Sequence, residues 1–278
     1  MGNTIYTATG CARCKITKRY MGENGIEYEE FDVKGEGEEA FGQFYRANRK
    51  KIFRSKDGVE FPVFTDGNEI RQGVSVIIGY LIADSRLDGF IGQSALHGEW
   101  IDGFDLSGGD PDQADGLLAV LSYLKKNGLK LQLIANGKNS SIVERVLEKN
   151  LGDRMIMEVK GPASIYGRLL GEDIASDEIS RSIALTARFP EYAFYTTVAP
   201  VVREDGAVSY LTPDEIGEAA KMIEEASGSN KHPYSLRRYD PKNVLDGRIK
   251  SIEPLPDSAM FKYRTAARRY QVMAEIEK

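Results

Sequence analysis

The sequence predicts an α/β protein: a small β-α-β-α-β-β-α domain, then an open, partial (βα) barrel of about five parallel strands. Two patterns predict it. Up to residue 82, short runs rich in Thr, Ile, Val and Tyr alternate with segments of helical spacing. From residue 101 onward, strand-like runs alternate with helical patterns four or five times, which argues for parallel strands joined by crossover helices. A closed eight-unit barrel takes about 250 residues, so an open one is expected. At roughly 100 to 200 residues per domain, the 278 residues suit one large or two ordinary domains.

In the first half, Asn3–Thr7 reads as a strand, since Thr, Ile and Tyr favour a pleated surface. After the Thr9-Gly10-Cys11 turn, residues 12–24 carry Ile16, Tyr20 and Met21 at helical spacing and stop near Gly25. Residues 26–33 alternate imperfectly, with Ile26, Tyr28 and Glu30 on one face and Phe31 and Val33 on the other. A Gly/Glu-rich turn leads to a helix through Phe41, Phe44 and Tyr45. Phe61–Phe64 and Asn68–Gln72 read as strands flanking Asp66-Gly67, and Val74–Ile82 as a helix.

Residues 85–98, with Gly89, Gly92 and Gly98, form a connector. Ile101–Leu106 then reads as a strand ending at Ser107-Gly108-Gly109-Asp110-Pro111, before a helix with Leu117, Leu118, Leu121 and Leu124. Leu129–Ala135 is the next strand, and Asn136-Gly137 turns into a helix through Ile142, Val143, Val146 and Leu147. Met155–Val159 follows as a strand, Ile174–Arg188 as a helix and Tyr192–Ala199 as an extended run. Pro213–Ala226 is helical, with Thr212 as N-cap and Glu215 completing a capping box. A strand near Tyr234–Tyr239 and a helix from about Ser258 finish the chain. The expected division is 1–84, a connector 85–98, a barrel 99–257 and a C-terminal helix 258–278.

Composition narrows the function classes. Apolar residues at 41% and charged residues at 28% exclude a wholly disordered chain. No run approaches the roughly 20 apolar residues of a membrane span, and the N-terminus has neither the basic start nor the apolar core of a secretory leader. A cytoplasmic location is expected, with no membrane partner. A net charge of −5 gives no global case for nucleic-acid binding. Two histidines, His97 and His232, and two cysteines cannot close a four-ligand zinc site, so no metal site is expected within one chain. His97 and His232 have no cysteine or carboxylate partner at ligand spacing, and Trp100 reads as packing rather than as a stacking platform.

Chemistry concentrates at Cys11-Ala12-Arg13-Cys14, between a strand and a helix N-terminus. Thiolate is the reactive form of cysteine, and both a helix dipole and nearby cations stabilise it. Arg13, Lys15 and Lys18 supply positive charge in the first turns. Cys11, at the helix start, is the attacking thiol and Cys14 the resolving one. Two other uses stay open: a structural disulfide, disfavoured in a cytoplasmic chain, and half of a metal site completed by a second chain or by small thiols.

Tyr6-Thr7, Gly10-Cys11, Cys14-Lys15, Thr17-Lys18-Arg19, Gly25-Ile26-Glu27-Tyr28, Asp32 and Phe61-Pro62-Val63 make the first 80 or so residues resemble the glutaredoxin-like redoxins that reduce ribonucleotide reductase. The resemblance implies a thioredoxin fold and a dithiol mechanism. It implies a cis Pro62 packed beside the disulfide, with Phe61 and Pro62 orienting a client strand and Arg13 and Lys15 contacting it. The Gly-Gly pair of glutathione-binding glutaredoxins is replaced by Arg71-Gln72-Gly73-Val74. A thioredoxin-reductase-like reductant therefore fits better than glutathione. Arg46–Lys56 departs from the pattern, with six cations and no acid in eleven residues. It reads as a solvated helix end or as a docking patch for an acidic protein partner, with phosphate or nucleotide contact ranking below both.

Ser107–Pro111, Ala135-Asn136-Gly137, Lys160-Gly161-Pro162 and Tyr195–Val198 leading into Pro200 make residues 100–255 resemble the radical S-adenosylmethionine activases of glycyl-radical enzymes, especially activators of anaerobic ribonucleotide reductase. In that family a Gly-Gly-Glu-Pro motif binds the methionine amino group. Gly108, Gly109, Asp110 and Pro111 match it with Asp for Glu, and Lys160 falls on a strand end that faces the cofactor. The family also needs a CxxxCxxC loop for its [4Fe–4S] cluster, and no cysteine follows residue 14. Radical generation by this chain alone is therefore excluded.

The sequence reading is a thiol–disulfide oxidoreductase with a redox-active disulfide and no required cofactor. Its client is a protein disulfide, on the analogy an anaerobic ribonucleotide reductase or related glycyl-radical enzyme, with the cluster-less barrel as docking module. The alternatives are an iron–sulfur carrier or sensor, with a cluster bridging two chains through Cys11, and a non-catalytic assembly factor that holds S-adenosylmethionine. The aromatic and basic segment Met260–Tyr270 reads as a cap on the open sheet or as a partner surface.

Overall fold

The computed structural model describes residues 2–56, 58–94, 98–244 and 246–277. Two compact units emerge, Met1–Leu131 and Gln132–Lys278.

The first unit begins with β1 (Thr4–Thr7), α1 (Ala12–Glu23), β2 (Glu29–Asp32) and α2 (Glu38–Asn48). A small hairpin, β3 (Arg54–Ser55) with β4 (Gly58–Val59), precedes β5 (Val63–Thr65), β6 (Ile70–Gln72) and α3 (Val74–Ala83). The four-stranded sheet has the order β2-β1-β5-β6, with β1–β2 parallel and β1–β5 and β5–β6 antiparallel. Alternation along β1 explains the layering, because successive side chains point to opposite faces. Ile5 packs with Phe64, Met21 of α1 and Ile77 of α3. Tyr6 points the other way, with Val63, Ile52 and the aromatic face of α2. The sheet is thus buried on both faces, which fixes the strand ends and whatever turns follow them.

Beyond α3 a 3₁₀ turn at Asp84–Leu87 leads to a bridge between Ile91 and Phe104. Then come β7 (Trp100–Asp105), a 3₁₀ turn at Pro111–Gln113, and α4 (Ala114–Lys126), which packs on α3.

The remaining elements are β8 (Lys130–Ala135), α5 (Ser140–Glu148), β9 (Arg154–Glu158), α6 (Tyr166–Leu170), α7 (Ser176–Thr186) and β10 (Glu191–Val198). A hairpin, β11 (Pro200–Val202) with β12 (Val208–Tyr210), leads into α8 (Pro213–Ser227) and β13 (Tyr234–Arg238). The chain ends with α9 (Gly247–Lys250), α10 (Asp257–Ala267) and β14 (Glu275–Ile276). The second sheet has the order β14-β13-β10-β9-β8-β7 and is parallel, so the expected partial barrel carries six strands rather than about five. β14 is the addition. Both halves of the capping box at Thr212 and Glu215 form, and together they satisfy donors at the start of α8.

In the second unit one sheet face is buried, through Leu133, Met155, Met157, Phe194, Thr196 and Leu236. Helices α7, α8 and α10 contact it. The opposite face, with Ile134, Ile156, Glu158, Tyr195, Thr197 and Arg237, keeps contact with solvent. Parallel sheets usually lie buried on both faces; the barrel is partial because, among the described residues, the edge strands β14 and β7 do not pair with each other. α10 packs on α8 and touches β13 and β14, burying Met260, Tyr263, Ala266 and Ala267. Among the described residues no helix is long and apolar enough to cross a membrane.

Candidate functional site

Cys11 stands at the N-cap of α1 with extended backbone, and its Sγ accepts from the Cys14 N–H at 3.1 Å. The first N–H groups of a helix have no intrahelical partner, and a side-chain acceptor at the cap takes one of them. Cys11 and Cys14 are joined in a disulfide with Cα atoms 5.3 Å apart. Cys14 is buried at 2% exposure, whereas Cys11 is only half-buried, so Cys11 presents the reachable sulfur.

The Phe61-Pro62 peptide is cis, and the Phe61 carbonyl oxygen lies 3.9 Å from Cys11 Sγ. Pro62 is held from behind: its carbonyl accepts from the Gly73 N–H at 2.9 Å. Arg13 forms an ion pair with Glu60 and donates to the Trp100 carbonyl at 3.2 Å. The first turn of α1 is thereby tied to the residue before Phe61. Lys15 is exposed beside Cys14.

The cations in the first turns of α1 have their own carboxylates. Lys18 pairs with Glu30 at 2.7 Å, and Glu30 also accepts from the Thr7 hydroxyl at 2.7 Å. Asp32 accepts from the Thr9 hydroxyl at 2.6 Å and from the Thr9 and Lys34 N–H groups at 3.2 and 2.9 Å. Chiefly the Thr9 hydroxyl holds the Asp32 carboxyl below its ordinary range. With Arg13 and Lys18 engaged by Glu60 and Glu30, the donor that reaches Cys11 is the helix backbone itself.

Glu60 and Gln72 stand out only in three dimensions. Gln72 donates to the carbonyls of Glu60 at 2.9 Å and Phe53 at 3.0 Å, and accepts from the Phe53 N–H at 2.9 Å. In sequence Gln72 marks only a missing Gly-Gly pair.

The second turn of interest follows β7. A Cβ on Gly89 would lie 2.6 Å from the Gly108 carbonyl oxygen, and one on Gly109 would run into the Phe90 ring. These glycines are required by a close approach of the chain to itself. The Asp110 carboxylate accepts from the Asp112 N–H at 3.0 Å and caps the 3₁₀ turn that begins at Pro111. Lys160 pairs with Glu158, whose other oxygen accepts from the Thr197 hydroxyl at 2.9 Å. Gly108 faces the Gly89 carbonyl oxygen and Asp105, and Gly109 the Phe90 ring, so neither glycine offers S-adenosylmethionine an open face. The residues as held here do not fit that cofactor.

His97 lies outside the described residues. His232 is buried, with Nδ1 2.9 Å from the Tyr192 hydroxyl and Nε2 2.6 Å from the Ser227 hydroxyl. Desolvation lowers its pKa.

A two-cysteine redox pair on a thioredoxin-like sheet, with a cis proline against it, places the first domain in the class of thiol–disulfide redoxins. Residues 3–63 match the family model described as Glutaredoxin, and this N-terminal domain belongs to the glutaredoxin family. Among solved structures the chain is similar to the glutaredoxin-like protein NrdH-redoxin from Escherichia coli, at 30% identity, 27% coverage of this chain, 84% of that one and a TM-score of 0.21. It is also similar to a domain of pyruvate-formate lyase-activating enzyme from Bacteroides vulgatus, at 14% identity, 63% coverage of this chain, 98% of that one and a TM-score of 0.42. No curated protein matches the chain.

Proposed function

We propose that the chain is a dithiol oxidoreductase that reduces a disulfide in a protein client. The observation that carries this is the half-buried Cys11 Sγ at the N-cap of α1, bonded to a buried Cys14 and 3.9 Å from the carbonyl before cis Pro62. Reduction of the pair frees Cys11 as a thiolate facing the Cys14 N–H and the helix dipole. That thiolate attacks one sulfur of the client disulfide, and the client's other sulfur leaves as a thiolate and takes up a proton. Cys14 then loses its proton and attacks Cys11 Sγ in the mixed disulfide. The client leaves as a dithiol and the Cys11–Cys14 disulfide remains. Two electrons have passed to the client, and a thioredoxin-reductase-like enzyme returns them. Pro62 and Phe61 line the approach, while Arg13, through Glu60, positions α1 against them.

The client we infer is an anaerobic ribonucleotide reductase or a related glycyl-radical enzyme. Support comes from the separate sequence resemblances of residues 1–84 and 99–257 to parts of that system, an argument by analogy. Residues 85–98 then connect the redoxin to a docking module, which ends with 258–278. Cys14→Ser tests the reading. Incubated with oxidised client, the variant accumulates a disulfide-linked adduct through Cys11, seen on non-reducing gels and by peptide mass. No adduct with any protein disulfide contradicts the mechanism.

A further inference from the structure

The stretch Arg46–Lys56 places all six of its cations at the surface: Arg46, Arg49, Lys50, Lys51, Arg54 and Lys56 are exposed. Several basic side chains elsewhere pair with carboxylates, as Lys18 does with Glu30 and Arg71 with Asp88, at 2.7 and 2.8 Å. Among the described residues no ion pair joins any of these six cations to an acid. Six neighbouring positive charges create a local positive field on a chain whose net charge is −5.

The strip is firmly held. Ile52, 4% exposed, is buried with Tyr6 and Val63. Gln72 grips both backbone groups of Phe53 and the carbonyl of Glu60, which fixes the strip relative to Phe61-Pro62. The Phe53 ring itself is 50% exposed among the cations. An apolar ring on a fixed backbone, ringed by charge, is the composition of a binding anchor rather than of a solvated helix end.

Two hollows share Arg54. One of about 570 Å³ is lined by Tyr45, the basic residues 49–51 and Phe53. The other, of about 800 Å³, has Val33, Phe41, Val59 and Phe61 as its apolar part and Arg46 with Arg54 among its charges. Phe61 brings this second hollow to the disulfide, since its carbonyl oxygen is 3.9 Å from Cys11 Sγ. We propose that this surface is the docking track for the client: an acidic polypeptide segment beside the reactive cysteine sets an apolar side chain against Phe41, Val59 and Phe61 and its carboxylates along the basic strip. The proposal rests on the redoxin reading and names the chemistry of its substrate. Glu36, Glu38 and Glu39 also line this second hollow, so the segment's carboxylates belong along residues 49–54, where the first hollow has no acid in its lining, and only its apolar side chain enters the second.

The test uses the full chain, reduced, against three peptides bearing one cysteine as its thionitrobenzoate mixed disulfide, flanked by glutamates, by lysines or by serines. Each rate is divided by the same chain's rate with the serine probe. The glutamate probe is expected to react about tenfold or more faster than the lysine probe at low salt, the difference shrinking in high salt. R49E/K50E/K51E reverses the order. Fluorescence anisotropy of a labelled glutamate peptide with serine for cysteine reads docking without chemistry, on the oxidised chain. Binding weakened at least severalfold by the triple variant supports the track. Equal rates with the charged probes, binding indifferent to the variant, or displacement of the peptide by a single-stranded oligonucleotide at lower concentration overturns it. A chain that reduces none of the probes refutes the redoxin reading, and the anisotropy arm still decides the docking.

Discussion

After β1 the chain turns through Thr9-Gly10 into α1, with Cys11 as N-cap. After β7 it turns through Ser107-Gly108-Gly109 into a 3₁₀ turn, with Asp110 as N-cap. In each, a side-chain acceptor at the cap takes an N–H that a helix start leaves over. The first turn keeps its sulfur within reach of solvent and of Phe61. The second has its glycine faces closed by Gly89 and Phe90. Residues that match a binding motif can therefore persist because the chain packs on them. What separates a working site from a packing turn is whether the reactive atom still has open space in front of it.

The sharpest break in this comparison is Cys11→Ser. It should lower protein-disulfide reduction by about 10³-fold or more, since the nucleophile itself is removed. Reduction assays on a model protein disulfide check this, and retained activity sinks the role given to Cys11. Gly109→Val probes the other turn. Its side chain would meet the Phe90 ring, and overpacking of this kind costs about 1–3 kcal/mol. Denaturant unfolding should show that loss, and Phe90→Ala in the same chain should recover part of it. A neutral Gly109→Val would mean that the glycine face is open after all.

Arg13→Met should act more gently. The partly buried pair with Glu60 holds α1 against the segment before Pro62, and such pairs contribute on the order of 1 kcal/mol. A fall of a few-fold in kcat/KM with an undiminished redox potential is expected. A changed potential with unchanged kcat/KM would assign Arg13 to the thiols instead.

The smallest effect concerns His232, in the second unit. Burial lowers the pKa of His232 in the folded chain, whereas the unfolded chain takes up a proton near the ordinary value of 6.5. Below that pH the unfolded state binds more protons, so stability falls as pH falls. In His232→Gln the slope just below about pH 6.5 should flatten. An unchanged slope would place the acid sensitivity elsewhere.

Much of the fold is legible along the chain, because β1, α1, α4, β8 and α8 carry either clear periodicity or a named cap. The hairpins β3–β4 and β11–β12 leave no trace, since strands of two or three residues have no period to read. α6, five residues long, is hidden for the same reason, and β14 exists only through its register with β13. At the site the cysteines announce themselves by type and spacing. The partner of Arg13 does not, because Glu60 lies 47 residues away. Nor can sequence show Phe90 against Gly109, where the reading expected a cofactor contact.

The central claim is that Cys11 and Cys14 are a working redox couple. An anaerobic redox titration of the full chain, read by thiol alkylation and mass, tests it most directly. A reversible two-electron couple between about −200 and −270 mV, the span of glutaredoxins and thioredoxin, is the predicted result. A pair that stays oxidised well below that range, as a structural disulfide does, or that never forms a reversible disulfide, would contradict it.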